Sequence, residues 1–126
     1  MQRIVRQVCG IDVAKDELVV VAGRLYDDMT PELYARKSFP NSDKGFCALL
    51  VWMNKLTEPS IETRFVMEAT GVYHEKLAYF LYGQGQLITV VLPNKISNYF
   101  RTLETKTITD KTASDAIARF GLERKL

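Results

Sequence analysis

The spacing of apolar and polar residues changes partway along the chain. Val5–Val13 (VRQVCGIDV) is short, apolar and β-branched, and Glu17–Leu25 (ELVVVAGRL) repeats the pattern after the polar turn at Lys15-Asp16. Two such runs around a short polar break predict a β-hairpin. Tyr26–Glu32 (YDDMTPE) has the chemistry of a loop, and Leu33–Phe39 (LYARKSF) alternates as a third strand. The period then becomes helical. Asn41 or Ser42 caps a helix on which Phe46, Leu49, Leu50, Met53 and Leu56 recur at helical spacing. Thr63–Met67 (TRFVM) is a compact strand that leads into Glu68, and Thr70-Gly71 breaks the chain. Val72–Tyr82 is amphipathic, with Leu77, Tyr79, Phe80 and Leu81 as candidates for burial and Gly83 as its stop. Leu87–Leu92 (LITVVL) is the continuous apolar run expected of a strand covered on both faces. Pro93 opens a helix through Ile96, Tyr99, Phe100 and Leu103. A last helix starts within Thr109–Ala113, buries Ala116, Ile117 and Phe120, and stops at Gly121.

The resulting order is β-β-β-α-β-α-β-α-α. Three strands joined by short turns, followed by strands alternating with helices, predict an α/β fold. Its mixed five-stranded sheet is antiparallel at first and continues in parallel βαβ units, with helices on both faces. The chain has 126 residues, enough for one domain, and its 47% apolar and 25% charged composition is that of a globular domain. No apolar run approaches the roughly 20 residues of a membrane-spanning helix, and no signal peptide is expected. Cys9 and Cys47 lack metal-like spacing, so a reduced, cytoplasmic setting is expected. Net charge is only +2, but it is unevenly spread. Residues 94–126 carry seven Lys/Arg against four Asp/Glu, and residues 1–93 carry ten against eleven. The end of the chain is therefore the part expected to meet phosphate. The ending Glu123-Arg124-Lys125-Leu126 reads as a cut through a longer chain.

Two acids occupy unusual positions. Asp12 lies inside the first strand, where a carboxylate among apolar neighbours is costly to desolvate unless a cation meets it. Glu68 ends the fourth strand. In mixed sheets of this order the first and fourth strands lie side by side, and their carboxyl ends open into a ligand crevice. Two carboxylates brought together there repel, and Mg²⁺ or Mn²⁺ would relieve the repulsion through hard oxygen ligands. The plainer alternative is an acid that points to solvent from a hairpin strand and another that caps the following helix. Asp110 and Asp115 are candidates for a third acid. At about 100° per residue they stand about 140° apart on a regular helix, so one helix cannot aim both at one ion. With a helix start at Thr112, Asp115 falls at the capping-box position, and Asp110 reaches the site from the preceding loop. Asp115 is then either a cap or a ligand.

Three blocks occur in order: Gly10-Ile11-Asp12-Val13-Ala14-Lys15, Met67-Glu68-Ala69-Thr70-Gly71-Val72-Tyr73, and Thr109-Asp110-Lys111 leading to Ala116-Ile117-Ala118-Arg119-Phe120-Gly121. Together they resemble the amino-terminal domain of the DEDD transposases of the insertion sequence 110 family, over essentially the whole chain. The resemblance implies a RuvC-like, ribonuclease-H-type domain with four acids that hold divalent metal. Carried over, those acids are Asp12, Glu68, Asp110 and Asp115. The last departs from the family pattern, because Ala113 stands three residues after Asp110 and the Asp-Ala pair comes two positions late, so either Asp115 serves with a shifted helix start or the site has three acids with Ser114 nearby. The resemblance further implies DNA recombination by a multimer and a structured guide RNA. It also implies a carboxy-terminal domain, absent from this chain, that carries a serine nucleophile. The isolated chain is accordingly expected to bind metal and nucleic acid without completing recombination.

Lys15, Lys95, Arg101, Lys106 and Lys111 are candidates for holding a nucleic-acid backbone. Tyr99 and Phe100 lie among them, either stacking on bases or, as their spacing with Ile96 and Leu103 favours, packing in the core. His74 is the single histidine and makes no zinc site. A sugar-kinase or actin-like nucleotide binder would need a glycine-rich first hairpin and a second domain, whereas the turn here is Ala14-Lys15-Asp16. The remaining alternatives are a non-catalytic module of the same fold that binds nucleic acid or another subunit, and a stand-alone junction resolvase, against which the charged ending speaks.

Overall fold

The computed structural model describes residues 3–69, 71–92 and 113–123. They form β1 (Ile4–Val13), β2 (Glu17–Tyr26), β3 (Pro31–Pro40), α1 (Asp43–Leu56), β4 (Thr63–Glu68), α2 (Glu75–Gly83), β5 (Leu87–Val91) and α3 (Ala113–Glu123). The helix expected from Pro93 to Leu103 lies outside the described residues. The sheet order is β3-β2-β1-β4-β5. β1 is antiparallel to β2 and parallel to β4, β2 is antiparallel to β3, and β4 is parallel to β5. This is the mixed sheet that the sequence predicts.

Side-chain parity sorts the core into two layers. Cys9, Ile11 and Val13 of β1, Leu18 and Val20 of β2, and Phe65 and Met67 of β4 meet Phe46, Leu49 and Met53 of α1 and Leu77 and Leu81 of α2. The intervening residues, Val8, Val21 and Val66, meet Ala116, Ile117, Ala118, Phe120 and Leu122 of α3. Alternation along a strand sends successive side chains to opposite faces, so each central strand must be apolar on both.

Local chemistry sets the element ends. The Ser42 hydroxyl accepts a hydrogen bond from the Gly45 amide at 3.3 Å and caps α1. Asn41, the other candidate cap, instead donates its side-chain amide to the carbonyls of Ala14 and Tyr73. Buried Gln7 is fully used: its amide donates to the carbonyls of Glu58 and Ile61, and its oxygen accepts from the Glu58 amide at 2.6 Å. It pins the α1–β4 connection near the start of β1.

Four expectations are corrected. Gly121 does not end the last helix, which continues to Glu123. A Cβ there would come within 2.7 Å of Val8 and 2.8 Å of Val66, so the glycine serves close packing on the sheet. α2 starts at Glu75 rather than Val72, because Gly71 has φ +62° and residues 71–74 form a turn. Tyr79 is 76% exposed, whereas Leu77 and Leu81 fill the face it was expected to share. β5, at the edge of the sheet, is covered on both faces only in part: Ile88 packs against one core layer and Val91 joins the other, whereas Leu87 and Val90 are exposed.

Candidate active site

The register between β1 and β4 runs from Gln7 opposite Thr63 to Ile11 opposite Met67. One further step along each strand reaches Asp12 and Glu68. Neighbouring strands lie about 4.8 Å apart, so the two acids start from adjacent backbone positions. Alternation places both on the side of α3, with Val8 and Gly10 of β1 and Val66 of β4. Both residues are half-buried. β1 continues into β2 on one side of the pair and β4 leads to β5 on the other. The connections thus leave the two strand ends in opposite directions, which makes this a topological switch point of the sheet.

α3 comes unusually close to the sheet at this place. A Cβ on Gly10 would lie 2.5 Å from the Ala118 nitrogen and 2.6 Å from its Cα. Only glycine in the strand allows the helix backbone to seat there. The first turn of α3 carries Asp115, which is 1% exposed. Its two oxygens accept from Arg36 of β3, Oδ1 from Nε at 3.0 Å and Oδ2 from a terminal nitrogen at 3.1 Å. This two-point pairing fixes the carboxylate in position and orientation.

Of the acids expected at the site, Asp12 and Glu68 are thus brought together, and Asp115 is anchored to β3. Asp110 lies outside the described residues, as do Lys95, Arg101, Lys106 and Lys111. Among the described residues, no group of three or more His, Cys, Asp or Glu is arranged to hold a metal ion. Lys15 is exposed in the β1–β2 turn. His74 occupies the N-cap position of α2 without making a side-chain cap, and its Nδ1 is shielded with no hydrogen-bond partner. Arg36 was not anticipated as part of this region. Its signal lies in the register: it pairs with Val21, whose side chain belongs to the α3 layer.

A family model for DEDD transposases of insertion sequence 110, described as transposase, matches residues 9–126. The pilin gene-inverting protein of Moraxella lacunata is 30% identical over 112 residues, which cover 89% of this chain and 33% of that protein. The chain therefore spans about a third of the length of the curated relatives it matches. Among solved structures, Thermus thermophilus RuvC superposes with a TM-score of 0.63 at 9% identity, over 93% of this chain and 92% of that one. The fowlpox virus Holliday junction resolvase superposes with a TM-score of 0.52 at 12% identity, over 75% and 71%. At such identities the structural likeness establishes the fold, which is RuvC-like.

Proposed function

The chain belongs to the DEDD transposases of the insertion sequence 110 family, and from that membership we propose that it is the metal-binding catalytic domain of a DNA recombinase. The observation that carries the reading is the Asp12–Glu68 pair, set side by side at the β1–β4 switch point. Two hard-oxygen donors on adjacent strands suit Mg²⁺ or Mn²⁺. Asp110 is proposed as the third ligand. Asp115, oriented by Arg36, is proposed as the fourth. A divalent ion held there would stabilise charge on phosphodiester oxygens during strand cleavage and transfer.

The remaining roles fall to the chain's own side chains. Arg36 orients Asp115 and offsets its charge in the absence of metal. Lys15, Lys95, Arg101, Lys106 and Lys111 hold the nucleic-acid backbone, which requires only positive charge at suitable spacing. Guidance by a structured RNA, assembly into a homo-oligomer and a serine nucleophile supplied from outside this chain complete the proposal. It takes them from the family, and none involves a membrane.

Calorimetric titration of Mn²⁺ and Mg²⁺ into the purified chain tests the central claim. Binding is expected in the wild type and is expected to disappear in Asp12→Asn and Glu68→Gln. Uptake that survives both substitutions would show that the acids are structural. The Asp110→Asn and Asp115→Asn variants then assign the other two ligands.

A further inference from the structure

A pocket of about 170 Å³ opens at the carboxyl end of the sheet, where three connections meet: the β1–β2 turn, the β3–α1 junction and the β4–α2 loop. It is lined by Lys15, Asn41, Val72, Tyr73 and Lys76. Two of the five are lysines and none is acidic. Two ammonium groups at one small pocket repel each other, and an anion between them relieves that repulsion. The rim is also built. The Asn41 amide donates to the Ala14 carbonyl at 2.8 Å and to the Tyr73 carbonyl at 3.2 Å, tying the turn that carries Lys15 to the loop that carries Tyr73. Tyr73 is 45% exposed and Val72 64%, so ring and apolar surface lie beside the cations. A small inorganic anion would use the lysines alone. A nucleotide unit, with a phosphate next to a base that stacks, uses the lysines and the ring together.

Position narrows the ligand further. Lys15 follows Asp12 by three residues, and Tyr73 follows Glu68 by five. A nucleic-acid strand with one phosphate at the acids would therefore carry neighbouring nucleotides past this pocket. We infer that the pocket formed by Lys15, Lys76 and Tyr73 is a phosphate subsite for a nucleic-acid strand adjoining the acidic pair. The inference deepens the function proposed above and rests on it. Lys76 and Tyr73 enter as binding residues from the geometry of the pocket.

The test is fluorescence anisotropy of labelled single-stranded DNA, and of RNA of the same sequence, across a salt series and without divalent ions. Lys15→Gln and Lys76→Gln are each expected to weaken binding about three- to tenfold, and the double variant more. The salt slope should fall by about one for each lysine removed. Lys55→Gln at the far end of α1 removes the same charge and should change affinity least; thermal unfolding verifies that every variant is folded. Equal losses on both strands would identify shared phosphate recognition, and a loss confined to one would name the strand the subsite serves. A double variant with wild-type affinity and slope overturns the inference, as does a wild type that binds neither strand. Because no metal is present, failure of the acids to bind metal leaves this result unchanged, and failure of the lysines leaves the calorimetry unchanged.

Discussion

The two faces of the sheet are built differently. Under α1 and α2 the core is made of large, adaptable side chains, among them Phe46, Phe65, Leu49, Met53, Leu77 and Leu81. Under α3, Leu25, Ile117, Phe120 and Leu122 share the layer with valines, alanines and two glycines that bring helix and strand into close contact, with one ion pair at the helix start. Side chains that fill a layer can re-sort into other rotamers when one of them changes. A helix seated directly on backbone has no such freedom. The candidate acids Asp12 and Glu68 lie on the second face, on the strands against which α3 is seated. A site that must keep several oxygens in fixed relation needs that rigidity more than it needs extra buried area.

The largest effect should come from a single added side chain at Gly10. Valine there would drive its Cβ into the backbone of Ala118, which cannot step aside as a side chain can. Gly10→Val is expected to lower the unfolding free energy by about 3 kcal/mol in urea denaturation, the upper part of the overpacking range. A neutral result would break the contrast between the faces.

Next in size is the anchor of α3. Arg36→Gln leaves the carboxylate of Asp115, whose side chain is 2% exposed, without its two-point partner. Removing one member of a fully buried pair costs about 3–5 kcal/mol. The Arg36 side chain is 52% exposed, which reduces the expected loss to about 2 kcal/mol. Comparing the denaturation of Arg36→Gln, Asp115→Asn and the double variant isolates the coupling. Additive losses would show that the pair does not hold the helix.

On the other face, Leu49→Met keeps volume and should cost less than about 1.5 kcal/mol, although Leu49 is completely buried. Period and turn chemistry gave the strands and α1 to within about two residues. The expected adjacency of the first and fourth strands and the switch-point rule were enough to set Asp12 beside Glu68. The α3 face was less legible because its determinants are not local. Gly121 reads as a helix stop until Val8 and Val66 are seen beneath it. Asp115 reads as a cap or a ligand until Arg36, 79 residues away, is found on its oxygens. The edge position of β5 likewise depends on strand order, which an apolar run does not reveal.

The smallest effect sharpens the comparison most. Arg24 and Glu32 form an ion pair whose nitrogen–oxygen distance of 2.6 Å is shorter than the 3.0 Å between Arg36 and Asp115. Distance alone would rank the Arg24 pair as the stronger. Burial reverses the order, because the Glu32 side chain is 44% exposed and water screens the attraction. Glu32→Gln should therefore cost less than about 1 kcal/mol, and added salt should reduce that cost further. The sign of its pH dependence follows from the Tyr26 hydroxyl, which donates to Glu32 at 2.8 Å, and then from Arg24. Both hold the carboxyl below its ordinary value of 4.5 in the folded protein. A group whose pKa is lowered by folding binds protons more readily when unfolded, so its contribution is present above that value and fades as pH falls through the folded one. Wild type and Glu32→Gln should thus differ slightly in denaturation midpoint at neutral pH and converge in acid. A difference as large as that produced by Arg36→Gln would mean that contact distance, rather than burial, sets the strength of ion pairs in this domain.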